Sequence, residues 1–170
     1  MEQMQLYAGL DMHSETITGT IKDDAGNNVR AMKVETSPQG VKRLFERLKK
    51  KQLNAVFEAS RNWPYYAELI KPYCSNLVMA HPLKVKAIAS ARIKTDVIDS
   101  NTLSDLLRAD LIPESYMPSL EIVQLRELLR YRASLSQMRG KLKAKAKSIL
   151  SREGKKCEMD EVTGKRARLW

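Results

Sequence analysis

Two short apolar runs in this chain each stop on an acid, and a helical stretch separates them. Leu6-Tyr7-Ala8-Gly9-Leu10 ends on Asp11, and Leu53-Asn54-Ala55-Val56-Phe57 ends on Glu58. Runs of this length and pattern read as strands. In the first, Leu6, Ala8 and Leu10 alternate onto one face, so Asp11 falls on the other with Tyr7 and Gly9. Between the runs, Ser37-Pro38 supplies a cap and a proline suited to the first helical position. Val41, Leu44, Phe45 and Leu48 then recur at helical spacing, and Lys49-Lys50-Lys51 closes the helix with charges that suit its C-terminal end. A helix between two strands makes a crossover, which predicts that they run parallel and deliver Asp11 and Glu58 to one sheet edge. A carboxylate is costly to bury unpaired, and a metal ion is a common partner.

The remaining pieces fit around that pair. Glu15 to Ile21 alternates as a strand, Asp24-Ala25-Gly26-Asn27-Asn28 is a turn signal, and Val29 to Glu35 resumes the strand pattern, predicting an antiparallel meander. Arg61-Asn62-Trp63-Pro64-Tyr65-Tyr66 opens a helix that carries Leu69 and Ile70 and stops near Pro72. Its aromatics read chiefly as anchors on the sheet, with base stacking as the alternative. Leu77 to Ala80 reads as a last buried strand. His81-Pro82 then begins a segment carrying Lys84, Lys86, Arg92 and Lys94, either a phosphate-contacting stretch or an exposed helix face. Lys94-Thr95-Asp96-Val97-Ile98-Asp99 leads into Leu103, Leu106, Leu107 and Leu111 at helical spacing. Asp96 and Asp99 therefore belong near a helix start, on one face, with Cβ atoms roughly 5–6 Å apart. Acids in a first turn also suit the helix dipole.

Pro113 and Pro118 bracket a linker, and Ser119 is placed to cap a long helix reaching about Arg152. Ile122, Leu125, Leu129, Leu135, Met138, Leu142 and Ile149 form a narrow stripe along it. At this length the helix would span roughly 50 Å and cannot bury the stripe alone, which predicts a partner helix or a second subunit. The expected organisation is an α/β domain over 1–117, the helix over 118–153 and a tail over 154–170. Charge follows the same division. The chain has 30 basic and 20 acidic residues, a net of +10. Residues 1–120 hold 16 against 14, and residues 121–170 hold 14 against 6, so +8 of the +10 lies in the second part. Lys141, Lys143, Lys145 and Lys147 contribute to it, and a polyanion such as DNA or RNA is the expected partner. No apolar run approaches the ~20 residues of a membrane span. Cys74 and Cys157 are isolated, which excludes a zinc motif and a disulfide framework and suits the cytoplasm.

Asp11, Glu58, Asp96 and Asp99 thus fall at two strand ends and a helix start. Hard oxygen ligands suit Mg²⁺, and paired ions about 3.5–4 Å apart stabilise the attacking and leaving oxygens of a phosphodiester. The stretches Gly9-Leu10-Asp11-Met12-His13, Phe57-Glu58-Ala59-Ser60, Lys94-Thr95-Asp96-Val97-Ile98-Asp99 and Leu106-Leu107-Arg108-Ala109, with the basic helix after them, resemble the N-terminal half of the DEDD insertion-sequence transposases. That group includes the Piv/MooV DNA invertases. The resemblance runs from residue 6 to about residue 154. It implies an α/β fold with a RuvC-like (ribonuclease H-like) mixed sheet flanked by helices and followed by a long basic helix. It also implies that Asp11, Glu58, Asp96 and Asp99 are catalytic and bind Mg²⁺, with Mn²⁺ as a substitute. The implied activity is DNA strand cleavage and exchange by oligomers, some of them guided by a structured non-coding RNA. Family members continue into a C-terminal domain with a serine nucleophile, whose start is expected after residue 154. Ser14, Ser60 and Ser100 lie near the acids but do not match that serine's motif. Lys84, Lys86, Arg92, Lys94 and the four lysines from Lys141 to Lys147 are the candidate nucleic-acid contacts. A non-catalytic nucleic-acid-binding module and a stand-alone nuclease resembling a junction resolvase are the rival readings.

Overall fold

The first three strands, β1 (Leu6–Met12), β2 (Thr16–Asp23) and β3 (Asn28–Glu35), form an antiparallel meander in the computed structural model, which describes residues 4–89 and 95–155. The β2–β3 turn places Gly26 at φ 85°, and the Asp23 carboxylate accepts from the Asn27 backbone N–H at 2.8 Å. Helix α1 (Pro38–Phe45) crosses back to β4 (Leu53–Glu58), which runs parallel to β1. Helix α2 (Trp63–Ile70) leads to β5 (Asn76–Ala80), parallel to β4. Strand order is β3-β2-β1-β4-β5, and α3 (Pro82–Ile88) and α4 (Asp96–Arg108) follow. This is the mixed sheet flanked by helices that the resemblance implies, and the long helix α5 (Leu120–Arg152) comes after it. The chain divides between Met117 and Pro118 into two compact units.

Helices cover both faces of the sheet's central strands, while β3 is largely exposed, and alternation along the strands decides which residue meets which helix. Ala8, Leu10, Ile17, Ile21, Ala55 and Phe57 pack with Val41, Leu44, Phe45, Tyr66 and Ile70 on one side. Val56, Val78 and Ala80 pack with Val85, Leu103 and Leu106 on the other. On that second side α4 lies directly over β1. A methyl group added to Gly9 would meet the backbone of Ser100 and Ser104, and both serines are fully buried. Two polar links fix the seat: Thr20 Oγ1 lies 2.9 Å from Ser100 Oγ, and buried Lys22 donates to Asp105 Oδ2 at 2.5 Å. Of the three aromatics expected to anchor α2, Tyr66 is buried and Trp63 packs against the core, whereas Tyr65 is exposed.

Several expected boundaries move, each for a local reason. Ser37 caps α1 as expected, its Oγ accepting from the Gly40 N–H at 3.0 Å. The helix nonetheless stops at Phe45 rather than running to the three lysines, because Arg47 takes φ 64° and turns the chain. Leu48 still packs on the core, and Lys50–Gln52 forms one short 3₁₀ turn before β4. Asp110, at φ 55°, likewise follows the end of α4, so Leu111 leaves the helix and is exposed. The stretch between Pro113 and Pro118 is more than a linker. Its Ser115 N–H donates to Met79 O at 2.7 Å, and the Pro113 carbonyl accepts from the His81 N–H at 2.8 Å. A bridge between Ala80 and Glu114 completes a partial cover for the open edge of β5.

The second unit is α5. Ser119 takes the capping position without a side-chain cap bond, and no residue of the helix is buried. Its apolar stripe, including Leu125, Leu129, Leu135, Met138 and Leu142, is exposed. Among the described residues no helix is long and apolar enough to cross a membrane.

Candidate metal centre

β1 and β4 are paired in parallel with Leu10 opposite Phe57, so Asp11 and Glu58 come next, side by side, at one sheet edge. Alternation puts both on the side where Gly9 and Val56 meet α4. Helix α4 begins at the same place. Thr95 Oγ1 accepts from the Ile98 N–H at 3.2 Å, and the Thr95 carbonyl accepts from the Asp99 N–H at 2.9 Å. That cap sets Asp96 and Asp99 in the first helical turn.

The four acids are distributed as two neighbouring groups. Asp11 and Asp96 approach each other together with His13, with one ligand atom from each of the three all within 4.8 Å of one another. His13 Nε2 lies 3.0 Å from Asp11 Oδ2 and 3.7 Å from Asp96 Oδ1. Lys33 Nζ donates to Asp96 Oδ2 at 2.8 Å. Glu58 and Asp99 line an adjacent small hollow with Val85, Lys86, Ala89, Thr102 and Leu103. Electrostatics link the two groups. Burial holds the Asp11 carboxyl above its usual range; His13 opposes that, while the charges of Asp96 and Asp99 push it further up. Asp96 is held below its usual range, chiefly by the hydrogen bond and charge of Lys33. The donor chemistry fits a hard divalent cation: carboxylate oxygens dominate, and they crowd a half-buried acid whose ionised form a cation would stabilise.

Lys84 and Lys86 are exposed on α3, and Lys86 borders the Glu58–Asp99 hollow. Arg92 and Lys94 lie outside the described residues. Lys141, Lys143, Lys145 and Lys147 are on α5, in the second unit. Two members of the site, His13 and Lys33, are not among the sequence candidates. His13 follows Asp11 by two positions, the spacing of one strand face. Lys33 reaches the acids through the register: Asp11 pairs with Thr18, and Thr18 pairs with Lys33. That row across the sheet becomes legible only when both hairpin registers are known.

The fold and the acids together define a mixed α/β domain with carboxylates at two strand ends and at the start of the helix that covers them. The chain belongs to the IS110 family of DEDD transposases, whose family model, described as Transposase, matches residues 8–153 and so includes all four acids. A curated relative, the transposase for insertion sequence element IS1533 from Leptospira borgpetersenii, is 26% identical over 154 residues. That match covers 88% of this chain and 44% of the relative, so the chain spans less than half of the relative's length. The Thermus thermophilus RuvC structure is a looser likeness, with a TM-score of 0.38 and 10% identity over 65% of this chain and 100% of that one.

Proposed function

We propose that this chain forms the metal-dependent part of a DNA transposase or site-specific recombinase, with Asp11, Glu58, Asp96 and Asp99 as Mg²⁺ ligands and Mn²⁺ as a substitute. The observation that carries the reading is the approach of Asp11 and Asp96, from separate elements, to ligand distance in a chain of this family. When bound, a divalent cation neutralises charge on the attacking and leaving oxygens of a phosphodiester. The chain's own residues orient the carboxylates, His13 holding Asp11 and Lys33 holding Asp96. Lys86, beside Glu58 and Asp99, offers a positive charge to a backbone phosphate.

In the same reading α5 supplies affinity for nucleic acid, because the segment it dominates carries +8 of the net +10. Neutralising phosphates releases counterions, so affinity falls by roughly 0.9 log unit per log unit of salt for each duplex phosphate contacted. Changing Lys141, Lys143, Lys145 and Lys147 together to Ala is expected to lower affinity at low salt and flatten that slope. The helix persists, since alanine favours it. A salt titration against duplex DNA and against a structured RNA reads both effects and shows which polyanion is preferred. An unchanged slope would contradict the α5 assignment and move the surface to α3.

The exposed stripe of α5 is proposed to pair with the same helix of a second copy. Sedimentation is expected to show a dimer or larger species, and Leu129→Glu to shift it toward monomer. A monomer at high concentration in the parent protein would contradict the pairing.

A further inference from the structure

His13 follows β1 directly, and its backbone is held on both sides. Its N–H donates to the Thr16 carbonyl at 2.9 Å, and its carbonyl accepts from Thr36 Oγ1 at 2.8 Å. The side chain is 53% exposed, so an ion arriving from solvent can reach it. Nε2 stands between two carboxylates, 3.0 Å from Asp11 Oδ2 and 3.7 Å from Asp96 Oδ1. Lys33 holds the other oxygen of Asp96, Oδ2, at 2.8 Å, which leaves Oδ1 as the one nearer His13. Donors bound to one small divalent ion at ~2.1 Å each stand about 3–4 Å apart, so both His13 distances already have that spacing.

We infer that His13 is itself a metal ligand through Nε2, and that Asp11, His13 and Asp96 form a mixed nitrogen–oxygen position that takes Mn²⁺ ahead of Mg²⁺. The inference rests on the function proposed above and adds one side chain to its four acids. The type of donor decides the ion. Mg²⁺ favours oxygen and keeps much of its water, whereas imidazole nitrogen suits first-row transition ions. Mn²⁺ also accepts carboxylates, so two acids and one histidine match it. The hydrogen bond to Asp11 does not by itself account for the placement. A histidine serving Asp11 alone has no need of Asp96, yet Nε2 approaches both. One ligand atom from each of the three side chains lies within 4.8 Å of the other two, although they come from the end of β1, the turn after it and the start of α4.

The test loads the full chain with Mn²⁺ alone. Low-temperature pulsed electron paramagnetic resonance reports whether an imidazole nitrogen is bound to the ion, and Mg²⁺ titrated into the same sample measures the preference. The chain has two histidines, so one variant assigns the signal. His13→Gln puts an amide near the place of Nε2 and keeps a hydrogen-bond donor for Asp11, but it offers the ion no imidazole. The parent is expected to show nitrogen coupling and to release Mn²⁺ only to a large excess of Mg²⁺. His13→Gln should lose the coupling and bind Mn²⁺ weaker by roughly tenfold or more, since even the outer partners of a metal ligand are worth that much. Its Mg²⁺ affinity should be unchanged. Three results would overturn the assignment and leave the acid reading standing: Mn²⁺ bound to the parent without nitrogen coupling, coupling that survives in His13→Gln, or an equal loss of both ions in that variant. If the parent bound no Mn²⁺, the His13 assignment and the metal reading would both fall.

Discussion

Gly9→Ala is expected to damage the α/β unit severely. The new Cβ would run into the Ser100 carbonyl and the Ser104 amide, which are helix backbone and not the ends of flexible side chains. Overpacking that side chains can absorb costs about 1–3 kcal/mol, so a clash against backbone should cost about 3 kcal/mol or more. Domains are commonly stable by only ~5–15 kcal/mol. At roughly 4 °C per kcal/mol, the melting temperature should fall by about 12 °C. The damage should also reach the site, because α4 carries Asp96 and Asp99 and would have to lift off β1. Gly140→Ala is the matched control. A Cβ there meets nothing within 4 Å, and the change should strengthen α5 by about 1 kcal/mol of helix propensity. Thermal melts of both variants check the pair. Equal melting temperatures for Gly9→Ala and the parent would contradict the seating of α4 on β1.

Much of this architecture is legible in the chain because the physics that sets it is local. Leu6, Ala8 and Leu10 alternate because a strand has a period of two, and α1, placed between two apolar runs, forces β4 parallel to β1. Where the structure departs from the sequence pattern, long-range or atypical conformations are responsible. α1 and α4 end at residues followed by Arg47 and Asp110 in a positive-φ conformation; Asp tolerates it, Arg rarely adopts it, and neither advertises a stop as glycine does. Glu114 and Ser115 pair with the end of β5, a contact that no periodicity announces. The site divides the same way. Each acid is visible as an acid at an element's end, but the grouping of Asp11 with His13 and Asp96, and of Glu58 with Asp99, depends on where α4 settles. Gly9, Ser100 and Ser104 decide that position, and in the sequence they look like ordinary small residues.

Divalent cations are expected to stabilise this protein markedly and to lose that effect in Asp11→Asn. A ligand that binds only the folded state stabilises it by about 2.7 kcal/mol at a hundredfold excess over Kd, roughly 10 °C for a unit of this size. Without metal the two proteins should differ in the opposite sense. Burial raises the folded-state pKa of Asp11, and the charges of Asp96 and Asp99 raise it further. A raised carboxyl pKa means that stability falls as pH climbs through that value, so the ionised acid is a burden at neutral pH. Asparagine removes the charge and still accepts a hydrogen bond from His13 Nε2, so the variant should melt no lower than the parent in EDTA. The decisive measurement is a set of melts of the two proteins at neutral pH, in EDTA and then with millimolar Mg²⁺ or Mn²⁺. The account predicts a rise of several degrees in the parent and little or none in Asp11→Asn. No shift in either protein, or the same shift in both, would contradict a metal centre built on Asp11.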